Sequence, residues 1–286
     1  MKPLFTSAVT EADKVRIQLE LDMFEPINVF DACERMNLTV RFVNINMEGM
    51  YINSKDKPNP QILISSLRPL PRRAFTCAHE LGHHVFNHGT KTDMLSKDDP
   101  YSASDDIEEL LVNVFAGNLL MPIAGISAEL AVRNWSAKTL TPLQAYTLSS
   151  FFGTGYQSFI FHCRVNHLIT SAQEKELLKQ TPSKILKTLI NNSGPAIPFK
   201  IIDGLSEIST VDVEATNYVF LPPRTKVLGN HLKKLGGIAI GDAYVAIKPG
   251  VVQVVTADET FSCFVRIQRP AYMGLAEYRH LEEEND

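Results

Sequence analysis

Hydrophobic and polar positions change period several times along the chain, and each change marks an element. Over residues 9–24, Ala12, Val15, Leu19 and Met23 fall at helical spacing and predict an amphipathic helix stopping before Pro26. Val15, Ile17, Leu19 and Leu21 also alternate as a strand would. Ile27–Arg35 fits a second, short helix ending near Met36-Asn37. Three β-like runs follow, Leu38–Val43, Gly49–Ile52 and Gln61–Ser65, the last two separated by the turn-forming Lys55–Pro60. Arg68-Pro-Leu-Pro71 then leads into a helix through His83, and the polar stretch Gly89–Ala103 reads as a loop. A strongly patterned helix spans Asp105–Met121 and is stopped by Pro122. Asp105 and Asp106 stand where the free N–H groups and dipole of a helix N-terminus favour acids.

Residues 123–192 stay helical in pattern, with segments Gly125–Trp135, Pro142–Phe152, Tyr156–Asn166 and Ala172–Ile190, the last broken near Pro182. After Asn192-Ser-Gly-Pro195 the pattern switches to short β-branched runs: Phe199–Ile202, Tyr218–Phe220, Gly237–Ile240, Tyr244–Ile247, Val251–Val255 and Phe261–Ile267. Gly236-Gly237 and Gly241-Asp242 read as turns between them, and the acidic tail Leu281–Asp286 as frayed. The order of elements gives an α+β chain in three parts: 1–125 with helices and a small sheet, 126–192 helical, and 193–286 β-rich.

Composition narrows the function classes. A net charge of -4, with 44% hydrophobic and 21% charged residues, describes an ordinary packed protein without a global basic field for nucleic acid. The first residues lack an apolar signal core, and no uninterrupted apolar run approaches the roughly 20 residues of a membrane span. Cys33, Cys77, Cys163 and Cys263 are scattered without a CxxC pair, as expected of free thiols in a reducing cytoplasm.

Chemistry enters at His79-Glu80-Leu-Gly-His83, an H-E-x-x-H pattern. At about 100° per residue, imidazoles four apart lie on one helical face and reach the same metal ion, while the intervening glutamate sits where a general base for a water is needed. Tetrahedral zinc requires a third protein ligand and one open position. Glu108 and Glu109, on the next helix, are the main candidates, and Asp105 is a weaker one. Glu109 is favoured because it precedes Asn113 by four residues, so both share a helical face and Asn113 can hold the second nitrogen of a ligand histidine. Glu108 would serve if the helix were rotated.

Together, Phe75-Thr-x-Ala-His-Glu-Leu-Gly-His83 and Glu109-x-x-Val-Asn-x-Phe-Ala-x-x-Leu-Leu-Met-Pro122 resemble the ImmA/IrrE family of zinc metalloendopeptidases, with Val112 where an alanine is common. The match covers roughly residues 35–125. The resemblance implies a zincin-like catalytic domain, followed here by an HTH-like helical extension and a β-rich C-terminal domain with a sensory or substrate-docking role. It implies one Zn²⁺ on His79, His83 and Glu109, with Glu80 as base. It also implies a cytoplasmic protease acting on an Xre-type helix-turn-helix repressor, switching on phage, mobile-element or stress genes. Some radiation-response members carry a GAF-like sensor at the C-terminal position, but no motif here carries that identity over. The alternatives are a protease toxin or defence effector with a broader target, and an inactive repressor-binding module. Direct binding to nucleic acid is not expected, and oligomeric state is not legible.

Other features have plain readings beside the sharp ones. Gly82 would keep the helix slim where it approaches the sheet, and Gln61–Ser65 would hold an extended substrate by edge pairing. Tyr51, a C-terminal histidine or an arginine could serve the oxyanion. His84 and His88 read as solvated or supporting residues, because His84 is rotated about 100° from His83. His162-Cys163-x-x-x-His167 has poor metal spacing and reads as surface or packing. Cys77 reads as a small packed hydrophobe. Residues 141–165 have helix–turn–helix rhythm with Gly153 at the turn, but only Arg164 could read bases, so a structural helix pair is favoured.

Overall fold

The computed structural model describes residues 2–54, 58–93, 106–191 and 194–282. The predicted features at Asp105, most of the 89–103 loop, and the tail beyond 282 lie outside them. Helix α1 (Lys2–Gln18) ends well before the predicted stop at Pro26. The reason is Arg16, whose buried guanidinium collects the carbonyls of Asp22, Glu25 (3.0 Å) and Leu119 (2.7 and 2.9 Å). Those carbonyls go to a cation rather than to helical amides, and Glu20 turns the chain at φ +50°. Burial lowers the Arg16 pKa to about 10, still far above neutrality.

Helix α2 (Val29–Arg35) starts at Asn28, whose side chain accepts from the amides of Phe30 and Asp31 at 3.1 Å each. Strands β1 (Thr39–Val43), β2 (Gly49–Ile52) and β3 (Gln61–Ser65) follow, then helix α3 (Leu70–Val85) and strand β4 (Lys91–Asp93). The sheet has the order β13-β1-β3-β2-β4, where β13 (Gly274–Leu275) comes from the far end of the chain and pairs antiparallel with β1. β3 is therefore interior, parallel to β1 and antiparallel to β2. This corrects the expectation that Gln61–Ser65 is an edge open to substrate. An apolar run reports burial, not which backbones flank it.

Helix α4 (Ile107–Leu120) packs against α1 and α3, and Asp106 caps it by accepting from the Glu108 amide at 2.9 Å. With α5 (Ile123–Val132) it forms a 26-residue stretch, Ile107–Val132, long and apolar enough to cross a membrane by length and composition. Glu108, Glu109, Asn113, Asn118 and Glu129 interrupt it, and 72% of its most apolar window is buried inside the protein, as in a core helix. Helices α6 (Pro142–Phe151), α7 (Tyr156–Val165), α8 (Ser171–Leu178) and α9 (Pro182–Leu189) complete the helical layer. Gly153 at φ +69° makes the α6–α7 turn, and the last predicted helix breaks before Pro182.

Strands β5 (Phe199–Ile201), β6 (Thr210–Glu214), β7 (Tyr218–Leu221), β8 (Thr225–Leu228), β9 (Leu232–Ile238), β10 (Gly241–Ala246), β11 (Gly250–Thr256) and β12 (Ser262–Gln268) form two four-stranded sheets, β5-β7-β10-β9 and β6-β12-β11-β8. Val219 and Leu221 of β7 meet Val211, Val254 and Val265 of the facing sheet, while Tyr218 and Phe220 join the helical core. Both faces of β7 are covered, hence its unbroken apolar run. Gly236 and Gly237, expected in a turn, lie inside β9 beside a register shift at Ala243/Tyr244. The turn is Ala239-Ile240. Strands β6 and β8 were not visible in the pattern, since Val211-Asp-Val213 and Thr225–Leu228 are short and polar between their apolar residues.

Candidate metal centre

Helix α3 runs from Pro69-Leu-Pro71, where proline at its start suits the first turn, to Val85. Its inner face buries Phe75, Ala78, His79 and Leu81 completely or nearly so, and with them Glu80 and His83. Imidazoles and a carboxylate at zero exposure need partners. The Nε2 atoms of His79 and His83 lie 3.2 Å apart, and the Glu109 carboxylate of α4 closes the triangle at 3.3 Å from His79 and 3.5 Å from His83. All three ligand atoms fall within 4.8 Å of one another, and the group could hold a metal ion. Of the two acids weighed, Glu109 is the one in this group; Glu108 sits in the first turn beyond the Asp106 cap.

The outward ring nitrogens are tied down. Asn113 Oδ1 stands 2.9 Å from His79 Nδ1, so that nitrogen carries the proton and donates, leaving the Nε2 lone pair for the centre. His83 Nδ1 is 3.0 Å from His88 Nδ1, a contact that leaves His83 Nε2 facing the centre when His83 donates and His88 accepts. His88 thus supports a central imidazole. Of the two readings the sequence offered for His88, solvated or supporting, it takes the second, brought to His83 where the helix ends at Val85 and Asn87 takes φ +55°. His84 faces away and hydrogen-bonds the Tyr51 hydroxyl through Nδ1 at 2.8 Å. Burial lowers the pKa of His84 and raises that of Tyr51, so both are neutral near pH 7.

Two glycines set the fit. A Cβ at Gly82 would come within 2.9 Å of Val112 Cβ and 3.1 Å of Phe115 Cδ1, so the slim face admits α4 and not, as expected, the sheet. A Cβ at Gly49 would lie 2.7 Å from Glu80 Oε1 and 2.5 Å from Thr76 Cγ2. The bare β2 backbone therefore seats Glu80. Gly49 was not singled out, although a glycine within a strand signals close backbone approach.

The remaining predicted features fall elsewhere. His162 is fully buried, 2.8 Å from the Met121 carbonyl, and burial lowers its pKa to about 4. It packs the helical layer. Arg164 pairs with Glu174 at 3.1 Å. Cys77 is buried with its thiol pushed well up by burial, 3.6 Å from Cys33 Sγ.

Residues 33–163 match the Peptidase_M78 family, described as the IrrE N-terminal-like domain, reaching past the motifs to the end of α7. The chain is also 29% identical over 109 residues to Uncharacterized immunity region protein 2 of Bacillus phage phi105, covering 38% of this chain and 68% of that protein. With the H-E-x-x-H helix and the candidate ligand group in place, residues 33–163 carry an IrrE N-terminal-like domain of the Peptidase_M78 family, and the phage immunity-region relative fits the ImmA/IrrE family.

Proposed function

We propose that the chain is a single-zinc endopeptidase with His79, His83 and Glu109 as ligands and Glu80 as general base. The observation that carries this reading is the ligand triangle. Ligands at about 2.0–2.1 Å from a tetrahedral zinc stand about 3.4 Å apart, and the edges here are 3.2, 3.3 and 3.5 Å. Two imidazoles and one carboxylate also suit zinc in its catalytic form, with one position left open. Zinc bound there would supply the positive charge that acidifies a water and polarises the scissile carbonyl.

The chain's own groups do the rest. Glu80, fully buried one residue from His79, accepts the proton of the attacking water and passes it to the leaving amine. Asn113 holds His79 in one tautomer, and His88 braces the ring of His83. The zincin-like part spans 1–125, the HTH-like helical extension 126–192, and the β-rich part 193–286 has a docking or sensory role. The IrrE N-terminal-like domain and a phage immunity-region relative favour a helix-turn-helix repressor as substrate, in the cytoplasm.

Co-expression with the helix-turn-helix protein encoded beside the gene, followed by blotting for a shortened repressor, tests this reading. Glu80→Gln should keep a full complement of zinc and abolish cleavage. Cleavage that survives the substitution refutes the mechanism. A repressor bound but uncut by the unaltered chain would favour the inactive binding module.

A further inference from the structure

A cleft of about 590 Å³ opens away from the ligand triangle. Its walls are the segment 25–31, the first turns of α3 to Ala74, the α6–α7 turn, β5 and β6. Neither the ligand triangle nor Glu80 lines it, and Ala74 is separated from His79 by more than one helical turn. Its volume falls in the range of about 300–1,000 Å³ typical of small-molecule sites.

The charges around it are unevenly satisfied. Asp31 and Asp212 both pair with Arg266, at 2.8 and 2.6 Å, and with Arg279, at 2.8 and 3.3 Å. Arg72 pairs with Glu48 at 3.1 Å, and Glu25 is exposed at the rim. Lys200 differs. It is the middle residue of β5, its neighbours Phe199 and Ile201 are buried, and its ammonium has no hydrogen bond or ion pair among the described residues. Burial lowers its pKa to about 8, against the pull of Asp212, so it is mostly charged at pH 7.

A second positive end meets the same space. Residues 155–158, the cap and first turn of α7, line the cleft, and Gly155 offers no side chain to accept from the first amides of this ten-residue helix. Such a helix start attracts anions. The rest of the wall is apolar and aromatic, with Tyr146 stacked on Phe199 at 4.0 Å and Phe151, Phe152 and Ile197 nearby. Inorganic ions have no use for such a wall.

We propose that this cleft binds a small organic anion of about mononucleotide size, its phosphate or carboxylate at Lys200 and the α7 start, its ring or chain on the aromatic wall. Pyridoxal 5′-phosphate is a suitable probe, because it carries both the anion and a reporter. The Lys200 amine attacks the aldehyde carbon and water leaves, giving an imine. Borohydride then delivers hydride to that carbon while solvent protonates the nitrogen, and the adduct survives digestion for mass mapping. Pyridoxal, lacking the phosphate, and 4-carboxybenzaldehyde, carrying a carboxylate, are the comparison arms. Pyridoxine 5′-phosphate, with no aldehyde, is the competitor.

Charge-assisted anion binding should make an anionic aldehyde modify Lys200 at least about tenfold faster than pyridoxal does. No such ratio is expected at exposed Lys187, and the competitor should slow only the Lys200 reaction. An excess confined to the phosphate or to the carboxylate aldehyde assigns the anion. Equal ratios at Lys200 and Lys187 for both anionic aldehydes overturn the site. The readout needs no metal and no protease activity, so it fails or succeeds independently of the zinc reading.

Discussion

Gly82→Ala separates local helix propensity from the packing that sets the metal site. The new methyl would meet Val112 Cβ at 2.9 Å, Val112 Cγ1 at 3.0 Å and Phe115 Cδ1 at 3.1 Å. Carbon contacts are comfortable at about 3.5–4.0 Å, so α3 and α4 must part by roughly 0.5–1 Å. Overpacking of this kind costs about 1–3 kcal/mol, whereas replacing a helical glycine by alanine returns about 1 kcal/mol. The two effects nearly offset at the low end, leaving a net loss of about 0–2 kcal/mol and a small fall in Tm.

Metal binding is the sharper readout. Glu109 rides on α4, three residues before Val112, and its carboxylate stands 3.3 and 3.5 Å from imidazoles on α3. Parting the helices opens both edges together. Disturbing the support of a metal ligand typically weakens affinity about 10–100-fold, and that range is expected here. Competition against a zinc-chelating dye measures it, with thermal unfolding run in parallel. Val112→Ala in the same chain removes the Cγ1 contact but leaves the Cβ contact, so it should restore affinity only in part, with a coupling of about 0.5–1 kcal/mol. If Gly82→Ala binds zinc as tightly as the unaltered chain and melts higher, helix propensity has won and close packing does not position Glu109.

Three further outcomes can be checked directly. Glu109→Gln should lose stoichiometric zinc by elemental analysis, while Glu108→Gln retains it; the reverse result would reassign the third ligand. Asn113→Ala removes the acceptor 2.9 Å from His79 Nδ1 and should weaken zinc about 10–100-fold with little change in fold, read by the same competition assay. His162 has a folded pKa of about 4 against 6.5 unfolded, so the unfolded chain binds the extra proton between those values. Stability is then full above about pH 6.5 and lost as pH falls towards 4, by up to about 3 kcal/mol from this residue. His162→Gln should flatten the acid limb of Tm against pH, though His280, also lowered to about 4 by burial, keeps part of it. An unchanged limb would show that His162 is protonated without cost.

The parts of the site that share one helix were legible, and those formed by chain reversal were not. His79 and His83 are four residues apart on α3, and Glu109 and Asn113 four apart on α4, so helical geometry alone pairs each set. His88 lies beyond the end of α3 and reaches His83 only through the left-handed turn at Asn87. No periodicity describes that step. Strand β3 shows the same limit: Ile62 and Ile64 announce burial, but the parallel partner β1 is brought alongside by a connection whose path the pattern does not encode.

The glycines carry the argument further. Gly49 and Gly82 both read as small residues in otherwise regular elements, and each derives its meaning from a neighbour remote in sequence: Glu80 for one, Val112 for the other. The site is thus set by two close approaches as well as by the motif: β2 on α3 seats Glu80, and α3 on α4 brings Glu109 to the imidazoles. An H-E-x-x-H helix without those two bare positions would keep its histidine pair but crowd Glu80 and hold α4, with Glu109, farther off. The cleft at Lys200 escaped the sequence for a similar reason: its walls come from segments scattered between residues 25 and 266, and no motif links them.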